Sequence, residues 1–228
     1  MALLVAMLVG TPAIAAPCPV PAGASTALGD VPASTRLAWI DDHLSHTARR
    51  ARQWTWGWGV GIVVATAGNL VPLAFVPREQ RIDWYVGAAT TIVGIVPLVI
   101  APLDVVDDAH GLRAAIAARG SGPSDVCPLL ADAEARLARD AANQSDGQRW
   151  WLHVGNVALN SGVGLFLGLG YHHWGAGVFN AVFGSAVGEA IILTQPTSSI
   201  DDARVYRAGA LGGAPSKTGP TLSFAVPF

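Results

Sequence analysis

Charge is scarce in this chain. Only 13% of its 228 residues are Asp, Glu, Lys or Arg, about half the share of an average soluble domain. Lysine is nearly missing, with Lys217 alone, and no basic run exceeds two adjacent arginines. That excludes the basic stripe on which nucleic-acid binding depends, and a net charge of −2 offers nothing to a polyanion. Cysteine is limited to Cys18 and Cys127, which lack the spacing of a zinc site. No nucleophile elbow and no glycine-rich phosphate loop occurs. The expectation is therefore a protein that is not an enzyme and holds no cofactor or metal.

What fills the chain instead is apolar: 51% of residues are hydrophobic, and the mean hydropathy is +0.41. Four stretches, about 54–76, 84–103, 151–171 and 174–194, approach the roughly 20 residues that a helix needs to cross about 30 Å of hydrocarbon. Seven of the eight tryptophans mark their beginnings: Trp54, Trp56, Trp58, Trp84, Trp150, Trp151 and Trp174. Indole prefers the headgroup level, so this pattern reads as an aromatic belt. Trp39 stands apart.

The stretches pair as hairpins, and the pairs repeat. "DWYVGAATTIVG" (83–94) matches "HWGAGVFNAVFG" (173–184), "HLSHTARRARQWTW" (43–56) parallels "RLARDAANQSDGQRWW" (136–151), and "VVDD" (105–108) echoes "SIDD" (199–202). A period of this kind suggests duplication. Leu37, Ile40, Leu44 and Ala48, and again Leu130, Ala133, Leu137 and Ala141, keep helical spacing. The expected fold is an all-α membrane protein, two duplicated helical hairpins with amphipathic connecting helices. Residues 1–15 read as a signal peptide ending at Ala13-Ile14-Ala15, 16–103 as the first repeat, 104–196 as the second, and 197–228 as an irregular tail. Pro17 beside Cys18 argues against a lipid anchor, and in an exported chain Cys18 and Cys127 are expected to form a disulfide.

Export places all the Lys and Arg except Arg78 and Arg81 outside the cytoplasm, against the positive-inside rule. The signal peptide, the helices or the inner membrane must then give way. The last of these motivates an alternative, an outer-membrane β-barrel or mixed fold. "WTWGWGVGIVV" (54–64) alternates large and small residues like a strand, and the chain ends in the alternating "LSFAVPF".

Polar residues interrupt the second hairpin. His153, Asn156 and Asn160 share one helical face at spacings of three and four, and Ser185 and Glu189 are four apart. Folding the hairpin about residue 172 makes positions of equal depth sum to roughly 345, so Glu189 should meet Asn156 and Ser185 should meet Asn160. An ionisable residue in a membrane raises suspicion of a pathway or binding site, and the alternative is interhelical glue. His172 and His173 lie at the other end of the hairpin from His153 and Glu189, which counts against a shared metal. Gly57, Gly61 and Ala65, and Asn180, Gly184 and Gly188, are spaced by four, which suits close approach of the hairpins to each other or of one copy to another.

"RRARQWTWGWGVGIV", "DWYVGAATTIVGIVPL", "GNVALNSGVGLFLGLGY" and "VGEAIILTQP" resemble a group of uncharacterised envelope proteins of GC-rich bacteria, over roughly 45–110 and 145–207. The resemblance implies no activity and singles out the GE-x-I-x-x-TQP stretch. The expected function is structural or scaffolding, in the bacterial inner membrane, with membrane lipid, a further copy or another envelope protein as partner. The alternatives are a small transporter or channel component using the Asn/Glu cluster, and an outer-membrane barrel-like envelope protein.

Overall fold

The computed structural model describes residues 18–100 (side chains to 95), 103–119 and 126–212. The stretches read as a signal peptide (1–15) and as a closing strand (222–228), and most of the loop 119–128, lie outside the described residues. Seven α-helices occur within them: α1 (Ala33–Leu70), α2 (Arg81–Ile100), α3 (Val105–Arg119), α4 (Cys127–Asp146), α5 (Trp150–Tyr171), α6 (Trp174–Thr194) and α7 (Ser198–Arg207). There is no strand among the described residues. The barrel alternative is thus corrected where it was most specific, since Trp54–Val64 lies inside α1. Alternation of Trp and Gly suits either period over a short run, and the long uninterrupted helix around it decides.

α1 is longer than expected, because the amphipathic helix and the first apolar segment are one element. At 38 residues it reaches about 57 Å at 1.5 Å per residue. It ends where Pro72, without a backbone N–H, forces a 3-10 turn over Val71–Ala74. α5 closes on His172, whose φ of 60° is left-handed, a state that non-glycine residues seldom adopt. α6 stops short of Pro196, which pushes Gln195 into an extended backbone.

The chain divides its apolar residues between two environments. The first half of α1 packs with α3, α4 and α7 around Leu28, Leu37, Ile40, Leu44, Leu112, Leu130 and Leu137, all buried. Both leucine series singled out by their spacing lie in this core. Cys18 and Cys127 form a disulfide across it, with Cα atoms 5.2 Å apart. Arg36, 1% exposed, donates to the hydroxyl of Tyr206 (3.0 Å), to the Pro19 carbonyl (3.2 Å) and to Glu134, which also accepts from Tyr206. One guanidinium thus ties the N-terminal segment, α1, α4 and α7 together. The stretch after Pro196, read as an irregular tail, begins with α7. Its inner face is Ser198, Ser199, Asp202, Ala203 and Tyr206, too small and polar to register as a hydrophobic stripe.

Beyond this domain the second half of α1 runs antiparallel to α2, and α5 runs antiparallel to α6. These helices leave large apolar side chains uncovered, among them Val64, Ile92, Val157, Phe166, Phe179 and Val182, each more than 45% exposed. Three spans, Ala33–Ala74, Trp150–Tyr171 and Trp174–Arg207, each contain a window long and apolar enough to cross a membrane. An apolar surface this extensive is foreign to a water-soluble monomer, and the three spans are consistent with a membrane protein.

Candidate functional site

The polar residues of the second hairpin come together across the α5–α6 seam. His153 Nδ1 lies 2.5 Å from Glu189 Oε2, and Asn156 Nδ2 donates to Glu189 Oε1 at 2.9 Å. The same Asn156 nitrogen donates to the carbonyl oxygen of Ser185, also at 2.9 Å. Asn160 donates back to the Asn156 carbonyl and to Asn156 Oδ1, both at 2.9 Å. Ser185 therefore contributes its backbone to Asn156, while the side chain of Asn160 lies against Gly184. His153 and Glu189 are 31% and 28% exposed, and Asn160 is buried.

Glycine makes this fit. A Cβ at Gly188 would overlap Asn156 Oδ1, and one at Gly184 would overlap Asn160 Oδ1. The same device recurs in the first hairpin, where Asn69 fills the space beside Gly87 and Thr66 donates to Thr91 Oγ1 at 2.8 Å. Gly184 and Gly188 thus act within one hairpin and do not join the two. Among the described residues a Cβ at Gly57 or Gly61 would meet nothing within 4 Å. The i, i+4 spacing found small residues correctly but could not tell a notch for a side chain from a notch for a helix.

The two hairpins are joined elsewhere. Trp54 and Trp58 both donate their indole N–H to Thr194 Oγ1, at 3.1 and 3.0 Å. At the opposite end His173 Nδ1 meets Asp83 Oδ1 at 2.7 Å, so this histidine is held by a carboxylate of α2. The GE-x-I-x-x-TQP stretch now has an anatomy. Gly188 admits Asn156, Glu189 takes two hydrogen bonds, Ile192 offers its carbonyl to Gln148 at 2.7 Å, Thr194 receives two tryptophans, and Gln195 covers Gly147. It is the joint where α6 meets α1, α5 and the α4–α5 turn. A signal was present in the sequence, since the stretch follows the second tryptophan-led helix, but its partners are up to 140 residues away.

Chemically, the cluster is a carboxylate bonded to one histidine and one amide. No cysteine, lysine or free hydroxyl bonds to it among the described residues, and no group of three or more His, Cys, Asp or Glu among them could hold a metal ion. A hollow of about 430 Å³ lies at the disulfide, lined by Cys18, Pro19, Val20, Cys127, Leu130 and Glu134 among others, and shares no lining residue with this cluster. No protein family, curated protein or solved structure matches the chain. The class defined by the fold is an all-helical chain with a disulfide-tied helical domain and three helices able to span a membrane.

Proposed function

We propose that this protein is a structural membrane component, an anchor of two duplicated hairpins that carries a helical domain on the outer face of the bacterial inner membrane. The observation that carries the reading is how the polar residues of α5 and α6 spend their hydrogen bonds. His153, Asn156, Asn160 and Glu189 bond to one another across a glycine-notched seam, as glue between membrane helices does.

Duplication is supported by equivalences in space. α3 packs on α1 as α7 packs on α4, so the last helix of each half returns to the first. Asp108 on α3 reaches α4 through Arg136, and Asp202 on α7 reaches α1 through Thr47. Thr47 and Asp140 occupy matching places in the 93-residue offset that also relates Leu44 to Leu137. An outward-facing domain is supported by its disulfide, since such bonds persist in oxidising compartments. Several of its arginines are engaged in ion pairs, with Arg36 on Glu134, Arg136 on Asp108 and Asp132, and Arg113 on Asp41.

A second reading, a small transporter or channel component, is favoured by the partial exposure of the His153–Glu189 pair in an apolar helix pair. Glu189→Gln separates the two. It keeps an acceptor for Asn156 and removes the charge. Under the structural reading the variant stays in alkali-washed inner membranes at normal yield and supports wild-type growth. Normal yield with a lost growth or uptake phenotype would transfer the case to transport, and recovery of the wild-type chain in the soluble fraction would refute both.

A further inference from the structure

Asp140 stands on α4 where α3 packs against it, 1% exposed, and neither of its carboxylate oxygens has a hydrogen-bond partner among the described residues. A bare buried carboxylate is among the most expensive groups a fold can hold. What it faces is another carboxyl: Asp108 of α3 lies within hydrogen-bonding range, with Asp104 nearby. Two ionised carboxylates are both acceptors, so no bond can form between them. One proton changes this, because the O–H of one can donate to the other.

The surroundings decide which of the two is the acid. Asp108 accepts from Arg136 Nη1 at 2.8 Å and from Arg139 Nη2 at 3.2 Å, while Asn143 donates to Asp104. Asp108 thus receives both cations, while Asp140 receives none among the described residues, so Asp140 is the carboxyl placed to carry the proton. The strongest charges acting on Asp140 are Asp108 of α3, Asp104 just before that helix, and Arg139 of its own helix.

We propose that Asp140 and Asp108 hold one proton between them, and that the α3–α4 seam is closed while the proton is bound and loosens when it leaves. The position matters because α3 follows the first hairpin and α4 leads into the second, so this seam joins the two halves of the domain. Burial, then the neighbouring Asp108 and Asp104, push the Asp140 carboxyl up to about 8. A carboxyl raised in the folded state contributes stability that is complete below the ordinary carboxylate range and is lost as pH rises through that value. Across the window from pH 6 to 8 each pH unit multiplies the open fraction of the seam by about ten.

Asp202, buried on α7 and pushed up to about 7 chiefly by burial, titrates in the same window, so the test is made in an Asp202→Asn background. Amide hydrogen exchange of α3 and α4, corrected for the intrinsic effect of pH, is measured on the detergent-purified full chain at pH 6 and pH 8. The expected result is a loss of protection approaching a hundredfold in α3, and no such loss when Asp140→Asn is added. Equal protection at both pH values in the background protein overturns the proposal, and that measurement stands even where Asp140→Asn does not fold. A pH response that survives Asp140→Asn also overturns it. So does full protection restored at pH 8 by millimolar calcium, which would assign the carboxyls to a cation.

Discussion

Substituting Gly177 by alanine tests the seam on which the second hairpin rests. A Cβ there would lie 2.5 Å from the Gly164 carbonyl oxygen and 3.4 Å from the Gly168 amide nitrogen. Both obstacles are backbone, so no rotamer change can relieve them. Restoring the roughly 3.3 Å that a carbon–oxygen contact tolerates requires α5 and α6 to part by nearly 1 Å. A gap of that size forfeits a quarter to a half of the dispersion energy of the atoms along it. Overpacking in a fixed core typically costs about 1–3 kcal/mol, and the Asn156–Glu189 bond one and a half turns beyond Gly184 would lengthen with it. We expect a loss of about 2–3 kcal/mol. Gly155→Ala and Gly162→Ala are the controls, since both positions are open, and helix propensity alone favours alanine there by up to about 1 kcal/mol. Gly164→Ala meets the reciprocal obstacle at 2.7 Å, so the double variant should cost less than the sum of the singles. Far-UV circular dichroism during titration of mixed micelles with dodecyl sulfate reads the midpoints. If Gly177→Ala unfolds at the same dodecyl sulfate fraction as Gly155→Ala, close contact at this crossing does not hold the hairpin together.

Two further substitutions probe the helical domain. The disulfide closes a separation of 109 residues, for which chain entropy gives up to about 4.7 kcal/mol. Changing Cys18 and Cys127 together to serine should therefore lower thermal stability by several degrees, and reductant should reproduce the effect on the wild type alone. Arg36→Met removes the cation from a part-buried carboxylate and a buried phenol, and should cost about 3–5 kcal/mol in chemical denaturation. A loss below about 1 kcal/mol would mean that Glu134 finds another donor.

The sequence was most readable where geometry left the chain little choice. A connection of only His172 and His173 separates α5 from α6, which fixes the register of an antiparallel pair. The depth relation then brings Asn156 beside Gly188 and Glu189. The first hairpin has a turn running from Val71 to Gln80, so its register could not be read the same way, and the Asn69–Gly87 fit went unseen. α7 escaped because its buried face is serine, aspartate and alanine, whose burial depends on what they meet and not on their own hydropathy. Arg36 escaped for a similar reason. A lone arginine in an amphipathic helix reads as solvated, and its three partners lie 17, 98 and 170 residues away.

The position of Glu189 now has a physical account. It lies five residues before the end of α6, and His153 lies three residues after the start of α5, so at 1.5 Å per residue both are within about 8 Å of their helix ends. On the proposed membrane arrangement that is the depth at which the cost of a charge falls steeply toward the interface. The carboxylate then has a histidine and an amide to bond, and the next amide inward, Asn160, bonds to Asn156. Polarity therefore declines along the seam with depth, from a histidine–carboxylate contact to a side-chain amide and then to the glycine contact of Gly164 with Gly177. A permeation path would need its polar groups to continue past the middle of the hairpin. Here the seam closes on glycine backbones, which supports the proposed joint between helices.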